Sequence, residues 1–192
     1  MKIDNSVLIE HTKDCFENWE SILKKDVHFY LPPYSIHTYK HCRNVLKFGL
    51  MIGANEGLND SQMNALACAC IFHDCGRKDD FIDPTHGEVS ANKYKVYCLT
   101  HGIDFDMRVY LAIYYHNLDD SKGYKAFREN SFTDDVCIYR ILKDADALDR
   151  YRLFFGKGEP SVNLLRTETA KDEAMLAYAY VINNFGMKKI KP

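Results

Sequence analysis

The sequence predicts an all-α fold, a single-domain bundle of about seven helices. Apolar residues recur at helical spacing in nearly every long segment. No alternating run is long enough to predict a strand, and there is neither an internal repeat nor a low-complexity tract. At 192 residues the chain can bury a core without disulfides or metals as staples.

The elements follow in order. Residues 7–25 carry Val7, Leu8, Phe16, Trp19, Ile22 and Leu23 as a one-sided stripe. The prolines of "FYLPPYS" end that helix, and Ser35 is the expected cap of a second, reaching Gly53. Asn59-Asp60-Ser61 starts a third, "QMNALACACIFHDCG", whose continuous apolar character predicts burial on most sides. After the polar loop "GRKDDFIDPTHG", residues 88–100 read as helix, punctuated by Gly102. Asp104 is the expected cap of "DMRVYLAIYYHN", with "LDDSKGYK" as a loop beyond it. Thr133 precedes "DDVCIYRILKDADALDRYRLF", acidic in its first turn as the helix dipole favours. A break at "GKGEPS", an amphipathic helix over residues 165–184 and a solvated tail "MKKIKP" complete the pattern.

Composition narrows the function classes. A net charge of −2 with interspersed signs shows no broad footprint for nucleic acid or anionic membrane. The N-terminal stretch lacks the apolar core of a signal peptide, and no segment has the length of a membrane span. Seven cysteines, an odd number in apolar or helical settings, suit a reducing compartment better than a disulfide framework. No C-x-x-C pair supports structural zinc. The expectation is a cytoplasmic protein.

Chemistry-bearing residues recur at the ends and in the interiors of these helices. His37 and His41 lie four apart, on one expected helix face. His73 and Asp74 end the buried helix, His86 opens the next, and His116 ends another. Asp144, Asp146 and Asp149 lie in a helix otherwise apolar at Ile138, Ile141, Leu142, Ala145 and Leu148. Charged groups are seldom buried without a partner, and helices of a bundle can project imidazole and carboxylate into one cavity to hold a divalent cation. A lone histidine at a helix end is otherwise explained by the dipole. His11, His28 and His101 have no such company, and the tyrosines around His116 fit helix packing first.

"HCRNV" at His41, "HDCGR" at 73–77, "DPTHGEVSA" at 83–91, "YYHN" at 114–117 and "DADALD" at 144–149 together resemble the ordered motifs of the HD-domain metal-dependent phosphohydrolases. The resemblance spans residues 35 to about 152, with the N- and C-terminal helices packing on that core, and implies one HD-type domain over residues 1–192. It implies a metal site of His41, His73, Asp74 and Asp146. Asp146 is preferred to Asp144 because the family's last motif sets its ligand after an alanine and before a small-x-Leu sequence. Asp144 and Asp149 would then support the ligands or line the cavity. His37, one turn before His41, is read separately as a supporting residue that orients substrate, or as a surface histidine. His86 and His116 match the extra histidines of two-metal members, in which Asp74 would bridge, and Ser90 fits that pattern.

Two departures bear on substrate. The Gly-Tyr-Pro signature of cyclic-dinucleotide members is replaced by "NLDDSKGYKAF". Arg77 stands where nucleotidase and alarmone-hydrolase members have an acid, which suggests phosphate contact by Arg77 and Lys78, with Lys143 and Arg150 as weaker candidates. Asp79, Asp80 and Asp83 are left open as acid, base or lid residues.

The resemblance implies one or two divalent ions (Mn, Fe, Co, Ni, Zn or Mg) that activate water against a small phosphate ester or anhydride, a nucleotide foremost. Three other functions compete. A nuclease or phosphodiesterase acting on nucleic acid lacks the expected basic stripe. A non-catalytic metal- or ligand-binding module and a di-iron oxygenase share the ligand set. The sequence leaves the oligomeric state open.

Overall fold

A computed structural model describes residues 5–153 and 160–172 together with 175, 176 and 179, with side chains from Thr12 onward. Helices α1 (Asn5–Lys25), α2 (Tyr39–Asn55), α3 (Asp60–Phe72), α4 (His86–His101), α5 (Met107–Tyr115), α6 (Asp120–Glu129), α7 (Val136–Asp149) and α8 (Glu168–Lys171) follow one another, with 3-10 turns at Thr133–Asp135, Arg150–Arg152 and Val162–Leu164. No strand occurs among the described residues. None of their helices is long and apolar enough to cross a membrane.

α3 is the axis of the bundle. It starts on a capping box, in which Asn59 accepts from the Gln62 amide and Gln62 returns the bond to the Asn59 amide. From Ala65 to Phe72 every residue is buried, so the C-terminal end of α3 opens in the interior rather than at the surface. α1, α2, α5 and α7 pack around it. Glu20 joins α1 to α2, accepting from Tyr39 Oη at 2.8 Å and from the Arg43 guanidinium, with Lys24 Nζ at 3.2 Å.

Several boundaries depart from the sequence expectation, each because a side chain is needed elsewhere. Ser35 does not cap α2; its hydroxyl donates to Asp80, and its amide closes a turn on the Pro32 carbonyl at 2.9 Å. The helix begins after Thr38, so His37 precedes it and shares no helix face with His41. Asp106, not Asp104, caps α5 by accepting from the Arg108 amide at 2.8 Å. α4 begins two residues earlier than expected, at His86.

The segment expected as a loop, residues 118–125, holds the first part of α6, which runs on to Glu129. Asp119 caps it through the Ser121 amide at 3.0 Å, and Gly123, which lowers helix propensity in isolation, lets it press on α7. A Cβ at position 123 would lie 2.3 Å from the Tyr139 ring. Packing therefore supplies what local propensity lacks. The helix expected over residues 165–184 begins at Glu168 and breaks after Lys171, where Asp172 turns extended; residues 175, 176 and 179 are helical again. Residues 173–174, 177–178 and 180–192, with the tail, and most of the "GKGEPS" break lie outside the described residues.

Gly123→Ala should destabilise the fold by about 1–3 kcal/mol through overpacking against Tyr139; a urea midpoint equal to that of the unsubstituted chain would contradict the contact. Glu20 supplies a pH dependence. Burial acts to raise its pKa, but the bonds from Arg43, Tyr39 and Lys24 outweigh burial and lower it to about 2. A depressed folded pKa gives stability that is present above the ordinary glutamate range and lost as pH falls toward 2. The stability difference between the chain and Glu20→Gln, followed by denaturant titration, should shrink over that interval.

Candidate metal centre

Three histidines are set by one local device. His73 and His116 follow the last residues of α3 and α5, and each turns its Nδ1 back on a carbonyl three residues earlier: Cys70 at 2.8 Å and Ile113 at 2.7 Å. His86, at the start of α4, does the same to the Asp83 carbonyl. A carbonyl oxygen can only accept, so each Nδ1 carries the hydrogen and each Nε2 presents a lone pair when the ring is neutral. His41, in the first turn of α2, directs Nδ1 to Asp149 Oδ2 at 2.6 Å, with the same result.

The four Nε2 atoms converge in pairs on Asp74. His41 and His73 Nε2 stand 3.1 Å apart, at 3.3 and 3.8 Å from Asp74 Oδ2. His86 and His116 Nε2 stand 3.0 Å apart, at 3.2 and 3.5 Å from Oδ1. Asp146, from α7, adds a carboxylate 3.2 Å from His41 Nε2. Its side chain is 37 % exposed and opens on a cleft of about 680 Å³, whereas the four histidines and Asp74 are buried.

Lone pairs meeting lone pairs and carboxylates need a cation. Two donor sets, His41/His73/Asp146 and His73/Asp74/His116, each gather within 4.8 Å, so the residues fit one or two divalent ions with Asp74 between them. The titration pattern shows the same demand. Burial and the Arg152 charge oppose protonation of His41, yet hydrogen bonds to Asp146, Asp149 and Asp74 outweigh them and raise it to about 10. Burial pushes His73 down to about 3. Burial also acts to raise the Asp74 and Asp146 carboxyls. For Asp74 the His73 charge and bonds from His116, His41 and His86 reverse that, and for Asp146 the His41 bond and the His41 and His73 charges do so; both lie well below the usual carboxylate range.

The candidate ligands have supports: Asp149 and Ser90, expected from the sequence, and Asn44, Arg152 and Gly76, whose roles the motifs did not show. Asp149, buried behind His41, also accepts from Asn44 Nδ2 at 2.8 Å and meets Arg152 Nη1 at 3.1 Å. Asn44 is three residues past His41 and Arg152 three past Asp149, the helical spacing that could have found them. Gly76 lets the turn after Asp74 lie against α4: its amide donates to Ser90 Oγ at 2.8 Å, and a Cβ there would come within 2.5 Å of the Ser90 nitrogen.

Other expected site residues are placed as follows. Arg77 joins Asp74 Oδ1, at 3.2 Å, to the Phe81 carbonyl, at 2.9 Å, and borders the cleft. His37 lines the cleft, held through Nδ1 by Asp80 Oδ1 at 2.9 Å. Lys78 is exposed and does not line it. Lys143 is bound to Asp120 at 2.7 Å and to the Leu118 carbonyl at 2.6 Å. The structure does not bring Asp144 to the centre. Two residues before Asp146, it lies about 200° round the helix. It accepts there from the amides of Arg166, at 2.9 Å, and Thr167, at 2.7 Å, and pairs with the Arg166 guanidinium at 3.0 Å.

Fold and site together define a helical protein with a buried, bridged histidine–aspartate centre. A family model described as the HD domain matches residues 38–151, more than half of the sequence, and the chain belongs to that family. The family's members generally hydrolyse phosphate substrates with divalent metals. No curated protein and no solved structure matches the chain.

Asp149→Asn should weaken metal affinity about 10–100-fold by loosening the His41 ring, while helical content is kept. Competition with a chromophoric chelator measures the affinity; an unchanged value would remove Asp149 from the centre.

Proposed function

We propose that the chain is a metal-dependent phosphohydrolase of small phosphate esters or anhydrides, with a nucleotide as substrate. The convergence of four Nε2 lone pairs on the two oxygens of one buried carboxylate carries this reading. Bound divalent ions would supply an activated water and neutralise charge on the phosphoryl oxygens. His41, His73, Asp74 and Asp146 would hold one ion, and His86 and His116, with Asp74, a second.

The chain's own groups would do the rest. Arg150 borders the cleft with no side-chain partner recorded among the described residues, which supports it as the cation for substrate phosphate. Arg77 would contact phosphate only with the edge left free by Asp74 and Phe81. His37, oriented by Asp80, would position the substrate from the cleft wall. Exposed Phe81 and Ile82 at the rim suit a nucleobase above a polar floor. A confined cleft and a net charge of −2 favour a small substrate over a polymer. The same reading takes residues 1–192 as one HD domain in the cytoplasm. Seven free cysteines, five of them buried, support that compartment.

Metal-stripped protein re-supplied with Mn²⁺, Co²⁺, Ni²⁺ or Mg²⁺ should release phosphate or pyrophosphate from a panel of nucleoside mono-, di- and triphosphates. Asp74→Ala should lose at least about 10²-fold of that activity. Stoichiometric metal binding without turnover would favour the non-catalytic module, and preference for a generic bis-ester would favour the phosphodiesterase.

A further inference from the structure

A second cavity, of about 530 Å³, lies behind the His73–Asp74 turn. Phe72 and Cys75, which flank those two ligands, line it, and it shares no lining residue with the metal cleft. A single turn thus has a metal centre on one side and a pocket on the other. The volume is that of a small-molecule site, and the walls combine aromatic rings with a few polar groups, as such sites do.

The polar groups are unequal. Asp26 Oδ1 lies 3.8 Å from His101 Nε2, an ion pair only when that ring is protonated. Lys93, from α4, has no carboxylate within ion-pair distance among the described residues. Its ammonium donates to the carbonyls of His28 at 2.6 Å and Cys75 at 2.9 Å, and stands 3.7 Å from the centre of the Tyr30 ring. Two carbonyls and a ring face solvate a cation without cancelling its charge. Tyr30 is 60 % exposed and lines the pocket beside that ammonium. Phe72 and Tyr97, both buried and with centroids 5.0 Å apart, form an aromatic wall.

We propose that this cavity is a second binding site, for a small planar aromatic anion. The anionic group takes the Lys93 N–H that now faces Tyr30, and the aromatic body lies between Tyr30 and the Phe72–Tyr97 wall. A lysine serving only to staple the loop to the turn would need no cavity beside it. The occupant's charge complements the one ammonium here that lacks a counter-charge.

Calorimetric titration of the metal-loaded full chain with 2-naphthoate and with 2-naphthylmethanol, a similar ring without the charge, tests this. One naphthoate should bind per chain, about tenfold more tightly than the alcohol, the ratio a single charge-assisted hydrogen bond supplies. Lys93→Met should abolish that preference. Val96 lines the cavity but is 57 % exposed, so Val96→Trp should fold, fill the space and block both compounds. Excess inorganic phosphate, which competes at the metal cleft, should leave naphthoate binding unchanged. No binding, equal affinity for acid and alcohol, displacement by phosphate, or full binding to Val96→Trp would each overturn the proposal. If Lys93→Met does not fold, the acid–alcohol ratio and Val96→Trp still decide it.

Discussion

Four imidazole nitrogens, with no hydrogen to offer one another as neutral rings, face the two oxygens of Asp74, and the bundle is built to hold them there. Such a cluster is costly in an apolar interior, where unpaired acceptors and buried charge both raise the free energy. A neutral core of the same shape would be more stable, and divalent cations at the centre would offset that cost. Every ring is therefore fixed from behind. Three use the carbonyl three residues back along the chain, and His41 uses Asp149, which is itself fixed by Asn44 and Arg152.

The fold meets this constraint by ending helices in the interior. α3 is buried over its last two turns, so His73 and Asp74 emerge where carbonyl groups lack helical partners, and the His73 ring satisfies one of them. The same solution at the end of α5 places His116. α4 must approach the turn closely for His86 to join, and Gly76 permits it: any side chain there would strike Ser90. Lys93, two turns along α4 from His86, ties the same turn to the loop carrying His28, so the centre is braced on its far side as well.

Much of this was legible in the sequence. The helical periodicity, the helix start at Asn59 and the buried character of α3 are local properties, carried by side-chain spacing and by a polar cap next to the helix it starts. The motifs around His41, His73–Asp74, His86, His116 and Asp146 were visible as an ordered set, and the family match over residues 38–151 spans all of them. α6 was not legible, because Gly123 argues against a helix until the Tyr139 ring is known to lie against it. Nor were Asp106 as a cap or the displaced start of α2, because Asp104 and Ser35 are equally good caps until Ser35 is claimed by Asp80 from 45 residues away.

The sequence by itself determined that this chain is helical and that its histidines and aspartates recur at the ends and on the inner faces of those helices. Tertiary structure alone decided which ring nitrogens meet on Asp74, why Asp146 opens on the cleft while Asp144 is bound by Arg166 and Thr167, and which cations are already committed. The reason is one of range. Helix formation, capping and three of the four ring tautomers depend on neighbours within a turn, whereas a bridging carboxylate or an uncancelled charge depends on partners brought from other helices.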